Sequence, residues 1–200
     1  MTAAAAPRPG LRHAAAGWVL RNHIWLFLAL AIAVFSMASP YFLTWTNLGN
    51  VLTQAAFIGL LAVGMTMVII NGEIDLSVGA TLALASALAI GLQPAIGTWP
   101  AVFAGFLSGV ALGALNGTIV AFSGMHSFIV TLGGLIGIRG LVFVYTGENA
   151  LMVEDFAYTE IPEIYLGPVS LTAMIFLGLA AAFQWVLTST RHGREAYAVG

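Results

Sequence analysis

The residues best suited to chemistry stand in one short stretch, NGEIDLSVGA, at positions 71–80. Asn71, Glu73, Asp75 and Ser77 alternate there with glycine and apolar residues. Carboxylates accept hydrogen bonds, and amide and hydroxyl groups both donate and accept them. The runs on either side, AAFIGLLAVGMTMVII and LSVGATLALASALAIGL, are almost purely apolar. The pattern therefore predicts a polar element inserted between two apolar helices.

The composition indicates what surrounds this element. Of the 200 residues, 60% are hydrophobic and 7% are charged, whereas soluble domains carry about 25% charged residues. A soluble domain lacks the polar cover for so much apolar surface. We therefore predict an all-α, polytopic membrane bundle. About six segments approach the ~20 residues that cross a bilayer core, at 24–42, 51–70, 76–92, 101–122, 128–145 and 169–187.

The residue types exclude several classes of function. The chain has no Cys and all six of its basic residues are Arg, so a thiolate site and a Walker A phosphate loop, which needs Lys, are both impossible. If ATP drives this protein, another subunit binds the ATP. No catalytic triad, acid pair or His cluster is present. We expect no enzymatic activity, no cofactor, no metal and no nucleic acid as a partner.

The arginines predict the orientation in the membrane. Arg clusters precede the first apolar segment and follow the last, so an even number of crossings places both in the cytoplasm, as the positive-inside rule expects. Residues 1–23 then form a cytoplasmic N-terminal segment, 24–188 a transmembrane domain with an external acidic loop at 147–168, and 189–200 the start of a cytoplasmic loop. The first apolar segment is either a retained span or a cleaved signal peptide.

Two interpretations of the NGEID element stay open. One unbroken helix over 55–92 would be nearly two membranes long, so the chain must turn at Asn71 and Gly72. In the first interpretation this is a turn near the cytoplasmic face, and Asp75 is the N-cap of the next helix. In the second, it lies deep in the membrane and lines a path, because intramembrane carboxylates are costly and usually functional.

The apolar segments contain two further signals. Glycines recur every four residues in the fourth segment, and such stripes allow close helix packing in lipid; they are Gly105, Gly109, Gly113 and Gly117. Similar small residues stand at 79, 83, 87 and 91 and at 133 and 137.

Arg139 lies within the fifth segment. It pairs there with Glu73, Asp75 or backbone carbonyls, contributes to a path, or marks a misplaced helix boundary. Asn116 forms an interhelical bond or lines a path.

Three stretches resemble the permease subunits of ATP-binding-cassette sugar importers of the ribose, xylose, arabinose, galactose and rhamnose type. They are GMTMVIINGEIDLSVGATLALAS, SFIVTLGGLIGIRGLVFVYTG and TRHGREAYAVG, in the family's order. His126 stands where the family usually has Pro. Family members are much longer, so the resemblance implies the N-terminal portion of a permease.

The resemblance implies a bacterial inner-membrane importer for a monosaccharide. Its expected partners are a cytoplasmic ATP-binding subunit, a periplasmic sugar-binding protein and a second permease copy. The path or gate candidates are then Asn71, Glu73, Asp75, Ser77, Asn116 and Arg139. The candidates for docking the ATPase are Thr190, Arg191, Gly193, Arg194 and Tyr197. Alternatives are a permease for branched-chain amino acids or nucleosides, or a proton-coupled transporter that uses Glu73 or Asp75.

Overall fold

The structure is a computed structural model that describes residues 11–157, 160 and 164–200. The first ten residues of the predicted 1–23 segment, and residues 158, 159 and 161–163 of the acidic loop, lie outside the described residues. The elements are helices α1 (Leu11–Ala38), α2 (Trp45–Ile70), α3 (Val78–Gly91), α4 (Gln93–Ile96), α5 (Thr98–Ser123), α6 (Ser127–Thr146), α7 (Leu171–Ser189) and α8 (Arg191–Val199), with strands β1 (Tyr165–Leu166) and β2 (Val169–Ser170) between α6 and α7.

The polytopic helical bundle is confirmed, with one difference in length. Five described helices are long and apolar enough to cross a membrane, namely Leu20–Ala38 within α1 and the whole of α2, α5, α6 and α7. Helix α3 has only 14 residues, which is about 21 Å of helix against ~30 Å of hydrocarbon. The third segment is therefore shorter than predicted, because its helix begins at Val78 rather than at Leu76.

The described residues form two compact units that divide between Asn50 and Val51. In the first unit, a short turn follows α1, where the Phe35 and Phe42 rings lie 5.6 Å apart. The Thr44 hydroxyl accepts a hydrogen bond from the Asn47 N–H, as an N-cap residue does at the start of a helix. The Asn47 amide in turn donates to the Phe42 carbonyl at 2.8 Å.

The core of the second unit is the packing of α3 against α5 and α6. Its buried centre consists of Ala80, Leu84 and Ile138. Helices α3 and α5 approach closely, because a Cβ on Gly105 would collide with the Ala85 carbonyl oxygen. Such close approach of helix backbones is what small residues permit in lipid.

The glycine stripe of α5 is a packing face over half of its length. Gly105 and Gly109 lie against α3, the latter with Thr81 Cγ2 3.8 Å from its would-be Cβ. At Gly113 and Gly117 no described atom lies within 4 Å of that position. The same holds for Gly79, Gly133 and Gly137, whereas Gly134 contacts Asn116 and Ser77. Gly113 and Gly117 thus have no packing partner within the described chain, because the first residue of α3, Val78, lies no further along the stripe.

Polar side chains position α7. Strands β1 and β2 pair antiparallel around Gly167, and the last strand residue, Ser170, is fully buried. Its hydroxyl accepts from the Ala173 N–H at the start of α7 and from the Thr53 hydroxyl of α2 at 2.7 Å. The sixth segment therefore begins its helix at Leu171, two residues later than predicted.

The acidic loop is attached to the junction between α3 and α5. Gln93 and Thr98, both buried there, bind the loop. The Gln93 amide donates to the Asp155 carbonyl and accepts from the Glu154 N–H, each at 3.4 Å, and the Thr98 hydroxyl donates to the Asp155 carboxylate. The Thr98 hydroxyl, followed by the Ala157 N–H, lowers the pKa of Asp155, against the opposing effect of desolvation.

Gly105→Ala should destabilise the bundle, because the added methyl group collides with the Ala85 backbone. Overpacking of this kind typically costs about 1–3 kcal/mol. The matched control is Gly113→Ala on the same stripe, which has open space. Thermal unfolding in detergent, followed by circular dichroism, should show a lower midpoint for Gly105→Ala only. Equal losses in both variants would contradict the packing assignment.

Acid should release the loop segment around Asp155. Because the pKa of Asp155 is lowered in the folded protein, its contribution is complete above the ordinary carboxyl pKa of about 4 and is lost as the pH falls through the lower folded-state value. A spin label on Met152→Cys, an exposed loop position, should become mobile in that range. With Asp155→Asn the label should lose this pH dependence; a label that still responds to acid would contradict the role of Asp155.

Candidate functional site

The NGEID element is a turn built by local hydrogen bonds. Helix α2 ends at Ile70, and Gly72 has a φ of 74°, a conformation that glycine adopts without strain. The Gly72 N–H donates to the Ile69 carbonyl and the Glu73 N–H to the Val68 carbonyl. The Asn71 amide donates to the Met67 carbonyl at 2.7 Å. The predicted turn at Asn71 and Gly72 is therefore confirmed.

Asp75 is not the N-cap of α3, which corrects the sequence prediction. The N-cap position is Ser77. The Asp75 carboxylate instead bonds the backbone and side chain of Ser77. It accepts the Ser77 N–H at 2.7 Å and the Ser77 hydroxyl at 2.6 Å. The Asn116 amide of α5 donates to that hydroxyl at 2.9 Å. Ser77 and Asn116 are 1% and 8% exposed, so the Asn116–Ser77–Asp75 chain is largely shielded from solvent.

The first turn of α6 holds the same segment from the other side. The Ser127 hydroxyl accepts from the Ile74 N–H at 3.1 Å. The Thr131 hydroxyl lies 3.2 Å from the Ile74 carbonyl oxygen and 2.8 Å from the Ser127 carbonyl oxygen. Sequence reasoning assigned no site role to Ser127 or Thr131. Their spacing of one helical turn in an otherwise apolar segment was the available signal.

These side chains border a cavity of about 520 Å³. Of the predicted path residues, Asn71, Glu73, Asp75 and Asn116 line it directly, and Ser77 is bonded to two of them. The remaining lining residues are small, apolar or hydroxyl-bearing: Val68, Ile74, Gly113, Gly117, Val120, Ala121, Ser127, Thr131 and Val199. Gly113 and Gly117, which have no packing partner among the described residues, thus form part of the wall of this cavity.

The described lining of the cavity carries groups that can bind hydroxyl groups. Its two carboxylates accept hydrogen bonds, and its amide and hydroxyl side chains donate or accept them. None of the described lining residues is basic. Among the described residues, no group of three or more His, Cys, Asp or Glu is placed to hold a metal ion. The described lining can therefore donate hydrogen bonds to a hydroxylated solute and accept hydrogen bonds from it.

Arg139 lies apart from this cavity. It lines a separate cleft of about 350 Å³ between α3 and α6, and its guanidinium carbon is 6.0 Å from the centre of the Phe143 ring. Among the described residues it forms no ion pair with Glu73 or Asp75, because it stands on α6 about two turns beyond Thr131. Since α6 continues to Thr146, the explanation by a misplaced helix boundary is also wrong.

The docking candidates gather on α8 and the corner before it. Thr190 caps α8 by accepting from the Gly193 N–H at 3.3 Å, and its hydroxyl donates to the Val186 carbonyl at 2.7 Å. Arg191 pairs with Glu195 at 3.3 Å. Gly193 is buried, whereas Arg194 and Tyr197 are exposed. The corner is thus built by Thr190 and Gly193, and α8 presents its charged and aromatic side chains outward.

His126 is the N-cap of α6, and its ring nitrogen Nδ1 accepts from the Phe128 N–H at 3.3 Å. The imidazole thus performs a local capping role. The side chain is exposed.

Comparison with curated proteins finds several permeases. The ribose import permease protein of Escherichia coli (strain K12) is 35% identical over 96% of this chain and 61% of its own length. The D-allose transport system permease protein of the same strain is 35% identical over 86% of this chain and 54% of its own length. The xylose transport system permease protein of the same strain is 36% identical over 83% of this chain and 44% of its own length. No solved structure matches.

The chain therefore spans about half to three fifths of the length of these relatives. The resemblance to sugar permeases, predicted from three motifs, is confirmed over most of the chain. Residues 47–200 also match the model of one protein family, and the match includes the NGEID turn, the cavity and α8. The chain belongs to the family described as branched-chain amino acid transport system / permease component.

Proposed function

We propose that this chain forms part of the membrane subunit of an ATP-binding-cassette importer for a monosaccharide. The observation that carries the proposal is the 35–36% identity to permeases named for ribose, D-allose and xylose. The sugar arrives from a periplasmic binding protein, and a separate cytoplasmic subunit binds the ATP. A second permease copy completes the path in the bacterial inner membrane, with the N-terminus of this chain in the cytoplasm.

The cavity at the NGEID turn is the proposed segment of the translocation path. Its acceptor and donor groups match the hydroxyls of a neutral sugar. The segment from Ile74 to Ser77, directly after the turn, is bonded by side chains of α5 and α6, and each such hydrogen bond contributes only about 0.5–1.5 kcal/mol net. A segment held in this way can change its conformation at modest cost, which a gate requires. Arg139, outside the cavity, is not part of this proposed path.

Helix α8 is the proposed start of the surface that binds the ATP-binding subunit. Its residues Arg191, Arg194 and Tyr197 are exposed, while Thr190 and Gly193 form the corner that orients it. Arg and Tyr are enriched among the residues that dominate binding energy at protein interfaces. Of these, Arg194 has no ion-pair partner among the described residues, so its charge is available to a partner.

Arg194→Glu should weaken assembly with the ATP-binding subunit. Reversing a charge that is desolvated in an interface typically costs about 2–5 kcal/mol, which is tenfold or more in the ATPase recovered with the tagged permease. Arg194→Lys is the matched control, since it keeps the charge and should retain most of the ATPase. Equal recovery with the Glu variant, at normal membrane insertion, would contradict the docking assignment.

Asp75→Ala and Asp75→Asn should differ in sugar uptake by proteoliposomes that contain the importer. Alanine removes the acceptor for the Ser77 N–H and hydroxyl, and an unsatisfied buried group costs about 1–3 kcal/mol, so uptake should fall roughly tenfold. The Asn carbonyl oxygen can take over both bonds, so Asp75→Asn should keep most of the ATP-driven uptake. Uptake driven by a proton gradient without ATP, and abolished in Asp75→Asn, would favour a proton-coupled transporter instead.

A further inference from the structure

The polar side chains that line the cavity at the NGEID turn differ in whether they are already bonded within the protein. Bonded side chains are those of Asn71, Asp75, Asn116, Ser127 and Thr131. Glu73 is the other polar residue of the described lining. Among the described residues, its carboxylate has no hydrogen-bond or ion-pair partner. Glu73 is therefore the lining side chain whose whole hydrogen-bonding capacity is open to a solute.

The backbone on both sides of Glu73 is fixed, although its side chain is free. The Glu73 N–H donates to the Val68 carbonyl at 3.1 Å. The next residue, Ile74, donates its N–H to the Ser127 hydroxyl at 3.1 Å, and its carbonyl oxygen lies 3.2 Å from the Thr131 hydroxyl. The base of this half-buried side chain is thus held in place at the cavity wall, while the carboxylate keeps its acceptor sites unused.

The described lining does not neutralise the charge of this carboxylate. None of the described lining residues is basic, and the second carboxylate, that of Asp75, is bonded to Ser77. Like charges repel over distances of several ångströms, and more strongly where protein lowers the dielectric constant. The cavity therefore disfavours an anionic solute, whereas a neutral hydroxylated solute donates hydrogen bonds to Glu73 without this penalty.

We propose that Glu73 is the specificity-determining residue of this cavity. Its carboxylate accepts hydrogen bonds from the hydroxyl groups of an uncharged sugar and excludes sugars that carry an anionic group. The inference rests on the proposed function and narrows its substrate class to neutral rather than acidic monosaccharides. The other polar lining residues hold the segment in place, and Glu73 contacts the solute. The cavity volume of about 520 Å³ lies within the range of about 300–1,000 Å³ that is usual for small-molecule sites.

The test measures how well sugars protect a cysteine in the cavity. Ala121 lines the cavity and is exposed, and this chain has no Cys, so Ala121→Cys supplies a reporter thiol; any cysteines elsewhere in the native polypeptide are replaced by Ser. The polypeptide is assembled with its ATP-binding subunit in nanodiscs, without the sugar-binding protein. By mass action, D-xylose at about twice its dissociation constant should slow labelling by an uncharged methanethiosulfonate about threefold. D-glucuronate, which is the D-xylose ring with an added carboxylate, should protect poorly.

Three substitutions of Glu73 should give three different patterns of protection. Glu73→Gln keeps an acceptor but removes the charge, so D-glucuronate should protect as well as D-xylose. Glu73→Asp keeps the charge and should still reject D-glucuronate. Glu73→Ala should weaken protection by D-xylose about tenfold, as expected for a lost hydrogen bond to a charged group. Discrimination that persists in Glu73→Gln, or unchanged D-xylose protection in Glu73→Ala, overturns the role of Glu73.

A second measurement reads the charge without any sugar. The same thiol is labelled by a cationic and by an anionic methanethiosulfonate of similar size, and the ratio of the two rates cancels any change in the reactivity of the thiol itself. Even at the dielectric constant of water, removal of a unit charge about 8 Å away lowers this ratio about fivefold. Glu73→Gln should show this fall. Asp75→Asn should show a smaller one, because the two bonds that Asp75 accepts from Ser77 partly compensate its charge; a larger fall there overturns the assignment to Glu73.

Uptake by the unsubstituted importer in proteoliposomes separates this inference from the proposed function. If ATP drives monosaccharide uptake but D-xylose, D-ribose and D-allose all leave the Ala121→Cys thiol unprotected, the role of Glu73 is overturned and the proposed function stands. If ATP drives no monosaccharide uptake, the proposed function fails, and the inference about Glu73 fails with it.

Discussion

The structure depends on how the backbone between Ile70 and Val78 satisfies its hydrogen bonds outside a helix. A peptide group that is buried without a hydrogen-bond partner costs free energy, so a helix break in a packed bundle needs partners from protein or water. Here local backbone bonds close the turn at Gly72 and Glu73, and side chains of α5 and α6 bond the segment that follows. Ser127 accepts from the Ile74 N–H, Thr131 bonds the Ile74 carbonyl, and the Asn116–Ser77–Asp75 chain secures the start of α3. The segment after the helix break is therefore bonded to both α5 and α6.

The shortness of α3 follows from this break and creates the cavity. Helices α3 and α5 run antiparallel, with Ala85 opposite Gly105 and Thr81 opposite Gly109. In this register α3 begins, at Val78, near the level of Gly113. No described helix packs on α5 at Gly113 or Gly117. Gly113 and Gly117 therefore line open space together with the two carboxylates of the turn. One glycine pattern thus performs two tasks, close packing along α3 and a smooth wall beyond its start.

Polar residues at the other end of α3 have a different role. Gln93 and Thr98 bind the acidic loop through Glu154 and Asp155, which attaches this end of the short helix to the loop. The start of α3 is bonded through Ser77 to Asp75 and Asn116, beside the cavity.

The sequence by itself determined the membrane class, the helical bundle, the break at Asn71 and Gly72 and the family, because these follow from apolar run length, turn residues and motif order. It also identified five of the six proposed path residues that the fold brings together. Its proposed N-cap, Asp75, is wrong, and one of the alternatives that it left open for Arg139, an ion pair with Glu73 or Asp75, does not occur among the described residues. It also overlooked Ser127. Only the tertiary structure decided these points, because hydrogen-bond partners depend on which helices are neighbours and at what register, and neither is a property of local sequence.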